Sequence, residues 1–231
     1  VITTTARRRD AGLLVIAGLL VVAFFIVPPL LAPGRVDDFP RAFAAYWSSG
    51  GGKDFPPDLQ HLVDHQFRYH LVRVLIALPL LAVLVATAVR LRRFRLPLGA
   101  LALVTAVLLI ENVQGFVSPF GTLLPNLASG PADELAAVLT QVRDQLSTGR
   151  LSPALDVMLD EYVRWHVVKA VLACIVGAVL IGLSVAAWRR RRWVSLLTAV
   201  PAVVMLLAVV ANVTTVANPH PGFLLLLKGS L

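Results

Sequence analysis

The sequence predicts an all-α, polytopic membrane protein: five transmembrane helices, a helical extracytoplasmic cap and an internal tandem duplication at a 96-residue spacing. Three observations predict it. The 231-residue chain is 58% hydrophobic with a mean hydropathy of +0.80, too apolar for an ordinary soluble domain. Five segments are long and apolar enough to cross a bilayer, which takes about 20 residues. Finally, one set of residues occurs twice. Gly34, Asp37, Asp38, Pro57, Leu59, Asp64, Arg68, Tyr69, His70, Val72 and Arg73 recur in order as Gly130, Asp133, Glu134, Pro153, Leu155, Asp160, Arg164, Trp165, His166, Val168 and Lys169.

The first span, 11–32, follows Arg7, Arg8 and Arg9 and carries no charge. Its apolar run exceeds the roughly 7–15 residues of a signal-peptide core, so it reads as a retained anchor. After a Pro/Gly turn, Asp37 and Asp38 are placed to cap a short helix reaching about Trp47, which residues 48–52 break. Pro57 suits the first turn of the next helix, which runs into span two, 70–89, where Pro79 is a kink candidate. Arg90, Arg92, Arg93 and Arg95 precede span three, 96–117. The second loop then repeats the first: Asp133 and Glu134 start a helix through about Leu146, residues 147–149 break it, and Pro153 opens a helix leading into span four, 166–188. Taken as one helix, 152–188 is about 55 Å long against a hydrocarbon core of about 30 Å, so it must project outward as part of a cap. Arg189, Arg190, Arg191 and Arg192 precede span five, 194–217. Asn212, Val213 and Pro219 match Asn112, Val113 and Pro119 at a spacing of 100, as if a third unit begins there. The expected organisation is therefore unit one at 1–95, unit two at 96–192, and a fifth span with an outer tail at 193–231.

Three short basic clusters hold 11 of the 21 Lys and Arg residues, with Asp10 the one acid among them. The positive-inside rule puts all three in the cytoplasm of a plasma-membrane protein. The N-terminus is then inside, while the C-terminus and the loops 33–69 and 118–165 are outside. These clusters account for most of the formal +8 charge and can attract anionic lipid. The footprint of a nucleic-acid partner is missing. Cys174 lies mid-span and reads as a small packing residue. The chain has no G-x-S-x-G elbow, no Cys placed with a His and no phosphate loop, which removes the common nucleophilic chemistries. Arginine far outnumbers lysine and Ala, Val and Leu dominate, a composition typical of GC-rich bacterial genomes.

Candidate function concentrates in a polar layer at the outer membrane edge. His70 and His166 stand at equivalent depths, with Arg73 and Lys169 one turn deeper on nearly the same helix face. Arg68 with Tyr69, and Arg164 with Trp165, lie just above. Glu111, Asn112 and Gln114 reach the layer from span three, and Asn212 from span five. One account is an interfacial belt: Tyr69 and Trp165 at head-group level, with Arg68, Arg73, Arg164 and Lys169 snorkelling. The sharper account is a pocket between the repeats for a hydrophobic or amphipathic molecule. It rests on Glu111, because an acid inside a span is a functional candidate by default. Glu111 would pair with Arg73 or Lys169. A third account places a metal at His61 and His65, an i,i+4 pair beside Asp64, or haem between His70 and His166. The second copy has Val157 and Glu161 where the first has His61 and His65, so that pair is no part of the shared design. The cofactor stays unknown at this stage.

The stretch from Glu111-Asn112-Val113 to Tyr162-Val163-Arg164-Trp165-His166-Val167-Val168-Lys169 resembles the anthrone-oxygenase-like family of small bacterial membrane proteins. That family has four spans where this chain has a fifth. Its second Asn after a Pro is replaced here by Ser118-Pro119-Phe120-Gly121, and its closing Arg by Lys169. The resemblance implies Asn112, Trp165, His166 and Lys169 as site positions and cofactor-independent oxidation of a polycyclic phenol as the activity. As an enzyme, the chain would use His70 and His166 as proton carriers, Arg73 and Lys169 as anion stabilisers, Glu111 as their partner, and Asn112 and Asn212 to orient the ligand. The alternative is a non-enzymatic accessory subunit, with the outer helices 41–47 and 135–146 packing on each other or on other membrane subunits.

Overall fold

A computed structural model describes residues 4–129, 132–188 and 192–227. Gly130 of the repeat and Arg189, Arg190 and Arg191 of the third basic cluster lie outside the described residues, as do the side chains of Arg7, Asp133 and Glu134. Every regular element among the described residues is helical. The helices are α1 (Thr4–Leu31), α2 (Phe39–Ser48), α3 (Pro57–Arg90), α4 (Arg95–Val117), α5 (Pro119–Leu123), α6 (Ala132–Thr148), α7 (Pro153–Trp188), α8 (Arg192–Ala217) and α9 (Pro219–Leu227). Five of them, α1, α3, α4, α7 and α8, are long and apolar enough to span a membrane, as the sequence predicts.

The spans pack in series, α1 on α3, α3 on α4, α4 on α7 and α7 on α8. Alanines and leucines interleave there: Ala17, Leu80, Leu84, Ala88, Leu98 and Ala102 form one buried cluster among α1, α3 and α4. The opposite faces carry exposed Leu14, Leu19 and Phe25 on α1 and Leu207, Val210 and Val213 on α8, the surface a lipid environment solvates without penalty. At the basic end, the Arg90 Nε donates to Asp10 Oδ1 at 2.8 Å, so the acid within the first cluster ties α1 to α3. Between α7 and α8, the Ser184 hydroxyl donates to the Ser195 carbonyl at 2.9 Å.

The cap holds a larger core than the spans. Phe39, Phe43, Tyr46 and Trp47 of α2 meet Leu135, Val138, Val142 and Leu146 of α6 across the projecting starts of α3 and α7, closed by Phe120 of α5 and Phe223 of α9. The Trp47 indole N–H donates to Gln141 Oε1 at 2.8 Å, so the two amphipathic outer helices do pack on each other. α7 continues unbroken for 36 residues, about 54 Å at 1.5 Å per residue. α3 runs through Pro79 as a single helix of 34 residues.

The expected caps on α2 differ in detail. Asp38 takes the N-cap position with helical backbone angles (φ −82°, ψ −3°) and makes no side-chain capping bond, while Asp37 pairs with Arg35 at 2.7 Å. The cause is local. A backbone bond from Phe39 N to Val36 O already closes the turn, and Pro40 has no N–H to be capped. At the other end of α2, Gly50 (φ 92°) and Gly51 (φ 57°) adopt the left-handed region, as Gly149 (φ 70°) does after α6. Gly51 also abuts α7: a Cβ there would sit 2.3 Å from that of Ala154.

The order short helix, long projecting helix, span, short proline-led helix occurs twice, in α2–α5 and in α6–α9, with α1 outside it. Ser118 interrupts the first set before Pro119, and Asn218 the second before Pro219. The sequence boundaries at 95 and 192 fall where α3 turns into α4 and α7 into α8.

Because the cap core is enclosed and the span exteriors are not, two truncations should separate them. Phe43→Ala, at a fully buried ring, is expected to cost about 3–5 kcal/mol and lower the melting temperature in detergent sharply. Leu207→Ala, on a lipid-facing surface, is expected to leave the melting temperature nearly unchanged.

Candidate functional site

The polar residues that the sequence places at one depth are joined here into a chain of contacts crossing four helices. Its two ends are built alike. On α3, His70 Nδ1 lies 3.0 Å from Asn112 Oδ1 of α4. On α7, His166 Nδ1 lies 2.6 Å from Asn212 Oδ1 of α8. Each Asn amide is oriented by its own helix, since Asn112 Nδ2 donates to Leu108 O at 2.6 Å and Asn212 Nδ2 to Ala208 O at 2.7 Å. With the NH₂ committed, the amide oxygen faces the imidazole and can only accept. Nδ1 therefore carries the proton, and Nε2 of the neutral ring carries the lone pair. The His166 Nε2 is buried and has no hydrogen-bond partner among the described residues. The His70 ring lies flat on Gly115, where a Cβ would come within 2.3 Å of it, so only glycine leaves room.

Between these ends, α4 and α7 are cross-linked three times. Lys169 Nζ pairs with Glu111 Oε1 at 3.1 Å. Gln114 Nε2 donates to Trp165 O at 3.1 Å, and the Ser118 hydroxyl reaches Glu161 Oε2 at 2.7 Å. Glu161 in turn pairs with Arg164 at 2.7 Å, one turn along α7. Asn112, Gln114 and Ser118 are buried, as interhelical polar groups in a span are expected to be.

Of the two partners foreseen for Glu111, Lys169 is the one that takes it. Arg73 instead lies 4.8 Å over the Phe24 ring and 4.6 Å over the Tyr69 ring. Lys169 repeats half of this arrangement 5.0 Å over Trp165, so in both copies the cation covers the aromatic residue one turn before it. Arg68 is exposed and bonds the Asp64 carbonyl, and Arg164 is exposed beside Glu161. His70 and His166 each engage an Asn of the following span rather than each other. His61 is exposed, while His65 is buried with its ring against Gly34. Among the described residues, no group of three or more His, Cys, Asp or Glu gathers into a metal-binding set. A groove of ≈ 710 Å³ lies in the cap between α2 and α6, lined by Trp47, Val138 and Gln141, and a cavity of ≈ 260 Å³ lies at the far end of α7 and α8 beside Trp188. Neither is lined by the polar layer.

Sequence reasoning missed Glu161 and Ser118 as members of the layer. Ser118 registers only as a departure from a family pattern, and Glu161 only as the residue facing His65 across the repeat. The i,i+3 spacing of Glu161 and Arg164 was the available signal. Compared with known proteins, the chain matches no family model, no curated protein and no solved structure.

If each His–Asn pair is a stabilising link between spans, a double-mutant cycle on His166→Phe and Asn212→Leu, read from unfolding in detergent, is expected to give a coupling energy of about 0.6–1.7 kcal/mol. Simple additivity of the two single losses would mean that the bond is not stabilising.

Proposed function

We propose that the chain is an integral plasma-membrane protein that binds a hydrophobic or amphipathic small molecule at this polar layer. One observation carries the reading. The same device, an imidazole whose Nδ1–H is held by an Asn amide so that Nε2 keeps its lone pair, occurs twice at matched positions. At His166 that lone pair is buried and unpartnered among the described residues. An imidazole so fixed accepts a hydrogen bond, and then a proton, from a phenolic or other hydroxylated head. Lys169 lies one turn deeper than His166 and would stabilise the anion formed. The resemblance to the anthrone-oxygenase-like family, whose implied substrate is a polycyclic phenol, is compatible with this head chemistry, and an oxidoreductase role belongs to the same reading. Because α4 and α7 are bonded directly across the layer, the molecule would approach from the lipid side.

An accessory role in a larger membrane complex is the second reading, favoured by the open groove between α2 and α6 and by the cross-links that make the layer a fastening between helices. A long-chain alkylphenol titrated into protein in phosphatidylcholine nanodiscs, followed by native mass spectrometry, separates the two. Saturable binding that weakens roughly tenfold in His166→Phe supports the site, the loss expected for one hydrogen bond to a polar head. Absence of binding, together with stoichiometric protein partners on gently solubilised material, supports the accessory role.

The basic clusters support a cytoplasmic N-terminus and an extracytoplasmic cap. With Cys174→Ser as background, Ser49→Cys in the cap is expected to react with a membrane-impermeant maleimide on intact cells. Labelling only after lysis would invert the orientation.

A further inference from the structure

The two long projecting helices carry matching stripes, and only one of them is electrically answered. On α7 the stripe is Glu161, Trp165 and Lys169, four residues apart and so on one face, turned toward α4. α4 meets it in kind: Glu111 neutralises Lys169, and Ser118 holds Glu161. On α3 the equivalent stripe is His65, Tyr69 and Arg73, turned toward α1 and the turn after it. Asp10 is the one acidic residue of α1, and it is committed to Arg90 at the basic end. The Arg73 guanidinium therefore lies 4.8 Å and 4.6 Å from two aromatic rings, and among the described residues it has no carboxylate partner and its buried Nε no hydrogen bond. Eight residues before it, His65 is only 8% exposed, and its Nδ1 also has no partner among the described residues. Glu111, the nearest acid of α4, is spent on Lys169.

We propose that the seam between α1 and α3 is a binding site for the anionic head, carboxylate or phosphate, of a membrane amphiphile. A charge at span depth is costly unless paired, and the described residues place no anion against Arg73. With Phe24 and Tyr69 beside it, the guanidinium keeps terminal nitrogens that can grip two oxygens of one head group. The acyl tail has a ready solvent in the lipid-facing side chains of the same two helices, among them Phe25 and Leu78. This site uses neither His–Asn pair and does not depend on the function proposed for them.

The test uses the full chain in phosphatidylcholine nanodiscs doped with a minor share of either phosphatidylglycerol or oleate, with inorganic phosphate as the soluble control, read by native mass spectrometry. One anionic amphiphile is expected to stay on each chain. Retention should fall roughly tenfold in Arg73→Gln, fall less in Arg73→Lys, which keeps the charge but not the two-oxygen grip, and be unaffected by Lys169→Gln, as expected for loss of one charge-assisted contact. Preference for oleate or for phosphatidylglycerol identifies the head as carboxylate or phosphate. Equal retention in wild type and Arg73→Gln overturns the proposal, as does an equal loss in Lys169→Gln or binding of inorganic phosphate without amphiphile. Arg73→Lys keeps the charge and guards against a folding artefact: if it melts like wild type, a loss in Arg73→Gln reads binding.

Discussion

Within hydrocarbon a polar side chain has no water to turn to, so it must find a partner on a neighbouring helix or on its own backbone. The polar layer follows from that constraint. Asn112 and Asn212 spend one end of each amide on a carbonyl four residues back and the other on an imidazole of the preceding span. Gln114 and Ser118 reach across from α4 to α7 for the same reason. Apolar contact discriminates little between helix registers in lipid, because a lipid tail is as good a neighbour as a leucine side chain. The register of the spans therefore rests on these few directional bonds.

The cap obeys the opposite rule. Outside the bilayer the hydrophobic effect operates in full, and the cap answers it with an enclosed core of aromatic and aliphatic side chains drawn from six helices. α3 and α7 join the two regimes, since each begins inside that core and runs on through a span, α3 to Arg90 and α7 to Trp188. A cooperative, water-driven unit thus sits on a set of spans positioned by hydrogen bonds. The ring-on-glycine contact at Gly115, the approach of Gly121 to the Glu161 carbonyl and the abutment of Gly51 on Ala154 are among the points that leave no room for an added atom.

Much of this was legible in the sequence, and the reasons are physical. Span positions follow from length and hydropathy alone, and the helix starts at Pro57 and Pro153 from proline's missing N–H. The depth match of His70 with His166 follows from spacing. Partner choice did not follow. Asp38 looks like a cap until Pro40 and the backbone bond at Phe39 are in place. Glu111 had two plausible cations, and only the docking of α4 on α7 rather than toward Arg73 decides between them. Glu161 and Ser118 sit far apart in the chain, so their contact depends on tertiary placement that periodicity cannot supply.

Helix α8 illustrates what a sparse set of bonds achieves. It borders one side of the bundle and touches chiefly α7. Near the cap it is attached through Asn212, near the basic end through Ser195, with close packing of Met205 on Gly177 between. A rod pinned once can still spin or pivot on the pin. Pinned near both ends, it can do neither without breaking a bond, so α7 and α8 must move as a single beam and any bending of the molecule is left to the seams on the other side of α7.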